Sequence, residues 1–376
     1  MHRKLLEDCG GILRLMPNFV AYKFNKPGFR LKLHPDDYYA LGMENGAIKE
    51  RLLASVMPGR ASAIEGTDFT LQEVVETLGA DILGQDMYEK HGTFPIHAKF
   101  FDYGEPLFHH LHLDFESAAR IGIQGKPEAY YFPAQMNNHP GTFPHTYFGF
   151  DPTTTKDMVR DCIRDFSLRD TRITQLSRAF RLQLGTGWYV PPGVLHAPGS
   201  YLTYEPQWNS SSGAVFENVT AGEVNTFGAF SSSCPEGKKD DLDYIMSLID
   251  WEKNIDPNFK ETYFRQPITR HKTAAYEEKW ITYNNPYFSA TELTIQPGET
   301  VTITDDAPYG CVFVQGHGRF GNFTAETPTL IRFGQPTADE YFVSYNAAKA
   351  GVVITNASTV EPMVILKHFA VDVKVS

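Results

Sequence analysis

The segment HHLHLDFESAARIGIQGKPEAYYF, His109 to Phe132, gathers side chains able to bind a divalent cation. His109, His110 and His112 fall within four residues, and Glu116 and Glu128 follow. In an extended strand alternate residues share a face, so His110 and His112 point the same way, about 7 Å apart along the backbone. Two imidazoles on one face can reach one ion, while His109 and Leu111 point the other way. A lone strand histidine is ordinarily a hydrogen-bonded core residue. A pair at this spacing, with carboxylates close behind, argues for a metal, and either glutamate could complete its shell.

Turn residues frame the pair. Gly104, His110-Leu111-His112, Glu116 and Gly122 nearly reproduce the first cupin motif. Gly185, Pro191-Pro192-Gly193, His196 and Ser200 match the second, with Ser200 where asparagine is usual. A turn glycine, a ligand-bearing strand and a Pro-Gly turn that sets the next strand's register form a coherent unit. The sequence therefore resembles a cupin whose two motifs are separated by a helical stretch.

A closer resemblance covers most of residues 11–265. GILRLMPNFV, FPIHAKFFDYGEPLFHHLHLDF, GKPEAYYF, LGTGWYVPPGVLHAPG and LDYIMSLIDW resemble, in that order, segments of the type I mannose-6-phosphate isomerases. This resemblance implies a divalent metal, zinc first and manganese or iron as alternatives. Its ligands would be His110, His112, Glu128 and His196. Glu128 is preferred to Glu116 because the family's ligand glutamate follows Gly-Lys. His110 stands where the family usually has glutamine. The resemblance also implies catalytic roles for Glu205 and Lys126, with Lys126 and Lys99 binding substrate. Glu205 lies nine residues after His196, so a single strand carrying both would need a bulge to bring them to one face.

The implied activity is aldose–ketose isomerisation of a sugar or sugar phosphate through a cis-enediol. The partner would be a small-molecule carbohydrate, and the assembly a monomer or homodimer. One departure bears on substrate: NSSSGAVFENVTAGEV, where the family carries an arginine facing the sugar, contains none. Arg120, Arg181 and Arg265 are candidates to replace it. A cupin oxygenase or oxidase using the same donors, and a non-catalytic sugar-binding cupin, are the rival readings.

These residues need a β framework. The chain has 376 residues with 13% aromatics and 30 glycines, which favours many short strands and turns. The expected fold is mainly β: two cupin-type β-barrel or jelly-roll domains, residues 1–265 with the metal and 266–376 without ligands. A helical insertion is expected at about 151–183. Thr70 and Glu73 form a capping box for a helix within Thr67–Gly84, and Lys238–Asn254 carries a second helical stripe. His34 reads as a turn residue, and His97, His139 and His145 as structural or pocket-lining. Gly316 and Gly318 read as turn residues around His317.

The formal net charge of -11 and the absence of a Lys/Arg-rich run leave no footprint for nucleic acid. No apolar run approaches a membrane span, and the opening residues do not read as a signal peptide. Cys9, Cys162, Cys234 and Cys311 are widely spaced and read as reduced thiols, so a cytoplasmic location is expected.

Overall fold

Along Ile96–Phe101 and Thr203–Trp208, residues alternate between two environments. The strands pair antiparallel, with Lys99 opposite Glu205 and His97 opposite Gln207. Ala98, Phe100 and Tyr204 turn to the other face and pack with Val312, Val314, Val364 and Leu366. One sheet face is thus apolar and covered by the C-terminal region, while the other carries polar side chains inward.

The computed structural model describes residues 1–139 and 141–375. Strands account for 32% and helices for 20%. The polar-faced sheet has seven strands, in the order Phe264–Arg265, Gly187–Val190, Glu128–Tyr131, Thr203–Trp208, Ile96–Phe101, Ala47–Leu53 and Asn18–Tyr22. Against it lies a five-stranded sheet in the order Ala214–Val215, His110–Leu111, His196–Ala197, His145–Phe150 and Ser177–Arg181. The C-terminal region repeats the plan with sheets of seven and four strands, which share a core around Leu293, Phe313, Phe320 and Ile354.

None of these sheets closes into a barrel, in contrast to the barrel alternative expected from sequence. Three of the five strands opposite the site sheet are two residues long, too short for a continuous ladder around the rim. The result is mainly β with open, antiparallel sheets.

Residues 151–183 are only partly helical. Lys156–Ile163 is an α-helix, Ile173–Leu176 a 3-10 turn, and Ser177–Arg181 a strand on the edge of the five-stranded sheet. The expected capping box forms at Thr70 and Glu73, and its helix ends at Leu78, where Gly79 adopts a positive φ of 48°. Leu242–Ser247 and Trp251–Asn254 form two short helices rather than one.

The N-terminal strand Ile12–Arg14 pairs with Glu340–Val343 in the C-terminal sheet. Arg51, on the apolar side of the site sheet, reaches Asp339 at 2.8 Å and Glu340 at 3.0 Å in a buried ion network. Gly318 is not a turn residue: it pairs with Asn356 within a strand, where a β-carbon would overlap the Thr355 carbonyl. Among the described residues, no helix is long and apolar enough to cross a membrane.

Candidate metal centre

His196 stands directly opposite His110 on neighbouring antiparallel strands. The Pro191-Pro192-Gly193 turn sets this register. Gly193 takes a φ of 78°, and its N–H donates to the His112 carbonyl at 2.8 Å. The ligating atoms of His110, His112 and His196 all lie within 4.8 Å of one another, and all three side chains are buried.

Main-chain carbonyls settle the tautomers. Nδ1 of His110 lies 3.0 Å from the Phe108 oxygen, that of His196 2.9 Å from the Val194 oxygen, and that of His112 2.5 Å from the Ser212 oxygen. A carbonyl oxygen only accepts, so each Nδ1 carries the proton. Burial, with the charge of nearby groups, holds His110 well below the ordinary imidazole range and His112 at about 4. These two rings are therefore neutral at pH 7, with bare Nε2 lone pairs. A neutral imidazole whose Nδ1–H is held by a carbonyl is the usual form of a histidine ligand.

Glu128 completes the cluster from the facing sheet. Its Oε2 lies 3.0 Å from His112 Nε2 and its Oε1 3.1 Å from His196 Nε2. Burial would raise its carboxyl, but the Lys126 ammonium beside it holds it well below the carboxylate range. His112 Nε2 and Glu128 thus face each other as acceptors, and His196 Nε2 is buried without a hydrogen-bond partner. Two donors about 2.1 Å from a shared ion stand about 3.0–3.4 Å apart when their angle lies between right and tetrahedral. The residues present therefore fit a divalent cation. Lys126 extends toward the same atoms, with Nζ 3.0 Å from His112 Nε2 and 2.8 Å from Glu128 Oε2.

No protein-family model matches the chain, and no curated protein matches it. Solved structures do. The mannose 6-phosphate isomerase of Bacillus subtilis aligns with 96% of this chain and all of its own, at 16% identity and a TM-score of 0.66. A variant of the phosphomannose isomerase of Salmonella typhimurium aligns with 96% of this chain and all of its own, at 11% identity and a TM-score of 0.67. A mannose 6-phosphate isomerase bound with zinc and yttrium aligns over the same shares, at 11% identity and a TM-score of 0.66. At these identities the likeness is one of fold.

A cavity of about 360 Å³ opens over the cluster, with His110, His112, Lys99 and Lys126 in its wall. Glu128, His196 and Glu205 do not line it but touch residues that do. Glu205 lies 3.4 Å from Lys99 and 3.5 Å from Lys126. Burial raises its carboxyl to about 8, and the negative charge of Glu128 adds to the rise. No bulge links it to His196. The chain passes from the five-stranded to the seven-stranded sheet between Ala197 and Thr203, so the two residues approach from opposite layers.

Glu116 lies elsewhere: its side chain is 83% exposed and pairs with Arg120 on a short surface helix. Arg181 and Arg265 also miss the cavity; Arg265 binds main-chain carbonyls of Thr262, Phe264, Tyr283 and Asn284. His34 caps the turn at Pro35–Asp37. His145 starts a strand of the five-stranded sheet, and His139 is exposed. His97 lines the cavity and donates from Nδ1 to Asn209 Oδ1 at 2.7 Å, because the Asn209 amide is committed to Phe94. Sequence reading missed Glu50, which binds Lys99 at 3.0 Å, Tyr103 at 2.8 Å and Tyr22 at 3.0 Å. It also missed Arg60 in the cavity wall. Nothing in the local sequence around Glu50 marks it, since its partners come from two other segments, Tyr22 from one and Lys99 and Tyr103 from the other.

Proposed function

We propose that this protein is a metal-dependent aldose–ketose isomerase of the cupin class, acting on a sugar or sugar phosphate through a cis-enediol. One observation carries the reading: three imidazoles with Nδ1 tied to carbonyls converge with Glu128 at the base of a cavity, on the fold of mannose 6-phosphate isomerases.

His110, His112, Glu128 and His196 would hold the ion, with zinc the first choice for this donor set. When bound, a divalent cation supplies Lewis-acid stabilisation of negative charge on a sugar's adjacent oxygens. Lys126 and Lys99 line the cavity, and their ammonium groups would stabilise an oxyanion on a sugar bound there. Glu205 contacts both lysines, and an acid form that persists to about pH 8 suits a group that takes up and returns a proton.

A donor set of three histidines and one carboxylate also suits redox iron or manganese, which keeps oxidation as the second reading. The test is to load metal-free protein in turn with zinc, manganese and iron. Each form is then incubated with free and phosphorylated aldoses and ketoses in deuterated water. Deuterium at C2 together with aldose–ketose interconversion supports the proposal. Oxygen consumption with the iron form and no exchange would replace it with the oxidase. Binding without either reaction would leave a sugar-binding protein.

A further inference from the structure

Three cations line the cavity, and they differ in how their charge is met. Lys99 lies between Glu50 at 3.0 Å and Glu205 at 3.4 Å. Lys126 lies between Glu128 at 2.8 Å and Glu205 at 3.5 Å. Arg60 has no carboxylate within ion-pair distance among the described residues. Its Nη1 donates to the Tyr22 oxygen at 3.4 Å, and the Tyr22 hydroxyl donates onward to Glu50 at 3.0 Å.

The backbone under Arg60 is firmly built. Met57-Pro58-Gly59-Arg60 forms a turn closed by Arg60 N–H to the Met57 carbonyl at 2.9 Å. Gly59 supplies the positive φ of 72° that a type II turn requires after proline. Asn18 Nδ2 donates to the Arg60 carbonyl at 2.9 Å. Ser62 N–H binds the Ser55 carbonyl at 2.8 Å, and Ser62 Oγ accepts from Ser55 N–H at 3.1 Å, closing the neck of the loop. A fixed turn thus presents an exposed guanidinium to a cavity whose other cations are already neutralised.

We infer that Arg60 is the specificity-determining residue of this cavity and binds an oxyanion, phosphate or carboxylate, carried by the sugar. This rests on reading the cavity as the sugar site. A guanidinium presents paired N–H donors that match either oxyanion and stays charged at any working pH. An oxyanion would replace water on that exposed guanidinium, which a neutral sugar has no charge to do. None of Arg120, Arg181 and Arg265 reaches the cavity, so Arg60 is the arginine placed to do this.

The test compares the metal-loaded full chain with its Arg60→Gln and Arg60→Lys variants. The probes are a free hexose, its 6-phosphate and the corresponding uronate, with binding measured by calorimetry and turnover as kcat and KM. Arg60→Gln is expected to weaken binding of the charged sugar by roughly 10- to 100-fold, as for loss of a charged hydrogen-bonding group. The free hexose should change by no more than about twofold on the same basis. Arg60→Lys should restore part of the loss. Whichever charged probe binds more tightly to the parent protein identifies the oxyanion.

Equal binding of charged and neutral sugars by the parent protein overturns the inference. So does an equal loss on both in Arg60→Gln, or no binding of either charged probe at millimolar concentration. Arg60-dependent binding without isomerisation would keep this inference and remove the isomerase. Isomerisation indifferent to Arg60→Gln would do the reverse.

Discussion

Glu205 and Lys99 face each other across neighbouring antiparallel strands, their charged atoms 3.4 Å apart in a layer where both side chains are largely buried. Glu50 and Lys126 extend the contact on either side, so carboxyl and ammonium groups alternate from Glu50 to Glu128. Each group depends on its neighbours for its charge state. Burial works against the charge of Lys99, but Glu205 and Glu50 raise its pKa above the usual lysine value. Burial, with the negative charge of Glu128 next, raises the Glu205 carboxyl, which keeps its proton at pH 7.

Glu205 makes stability depend on pH. Its folded pKa of about 8 lies above the ordinary carboxyl value of 4.5, so the folded state holds the proton more tightly. That contribution is fully present below about pH 4.5 and is lost as pH rises through about 8. Glu205→Gln mimics the protonated form and should flatten this dependence, gaining on the parent protein by on the order of a few kcal/mol at high pH. Urea unfolding of the metal-free proteins at pH 5 and pH 9 measures it; parallel pH profiles would refute the assignment.

Lys99→Met should destabilise the fold by about 3 kcal/mol or more, because Glu50 is left as a buried charge supported only by hydroxyls. Adding Glu50→Gln should recover much of the loss, since the orphaned charge is then gone. A double-mutant cycle from denaturant midpoints reads the coupling directly. Additive losses would show that the two side chains are independent.

Replacing His196 or Glu128 with alanine should lower zinc affinity by at least about tenfold, in line with the loss of coordination partners. Glu116→Ala should leave it unchanged, because that side chain is exposed and paired with Arg120. Competition against a chelator, with metal content read by mass spectrometry, separates the two glutamates. Equal losses in Glu116→Ala and Glu128→Ala would contradict the cluster described above.

Arg51→Met should cost about 3–5 kcal/mol by stranding Asp339 and Glu340 in the interior. Burial already pushes the Glu340 carboxyl up to about 7 despite Arg51. Without the guanidinium Glu340 should favour protonation further, so the variant should regain stability as pH is lowered from 8 to 5. Thermal unfolding across that range gives the slope.

Much of the centre could be read in the sequence because strand periodicity is local. The period of two put His110 and His112 on one face, and the Pro-Gly turn announced the strand of His196. Thr70 and Glu73 announced their helix for the same reason. Glu205 was legible as a residue of interest, but its route to the site was not. A break between two sheets and a bulge within one strand both involve the same Pro198-Gly199 text. Gly199 is where the chain packs against the His145 carbonyl, a contact no local pattern encodes.

The sequence by itself determined the β character, the spacing of the imidazole pair, the turns and the candidate ligands, since these follow from residue type and short-range geometry. Only the tertiary structure decided that Glu128 rather than Glu116 meets the histidines, that Glu50 and Arg60 belong to the cavity, and that Ile12–Arg14 completes the C-terminal sheet. Those outcomes depend on which distant strands become neighbours. That choice is governed by the burial of apolar faces such as Phe100 and Tyr204 against Val312 and Leu366, contacts separated by more than a hundred residues along the chain.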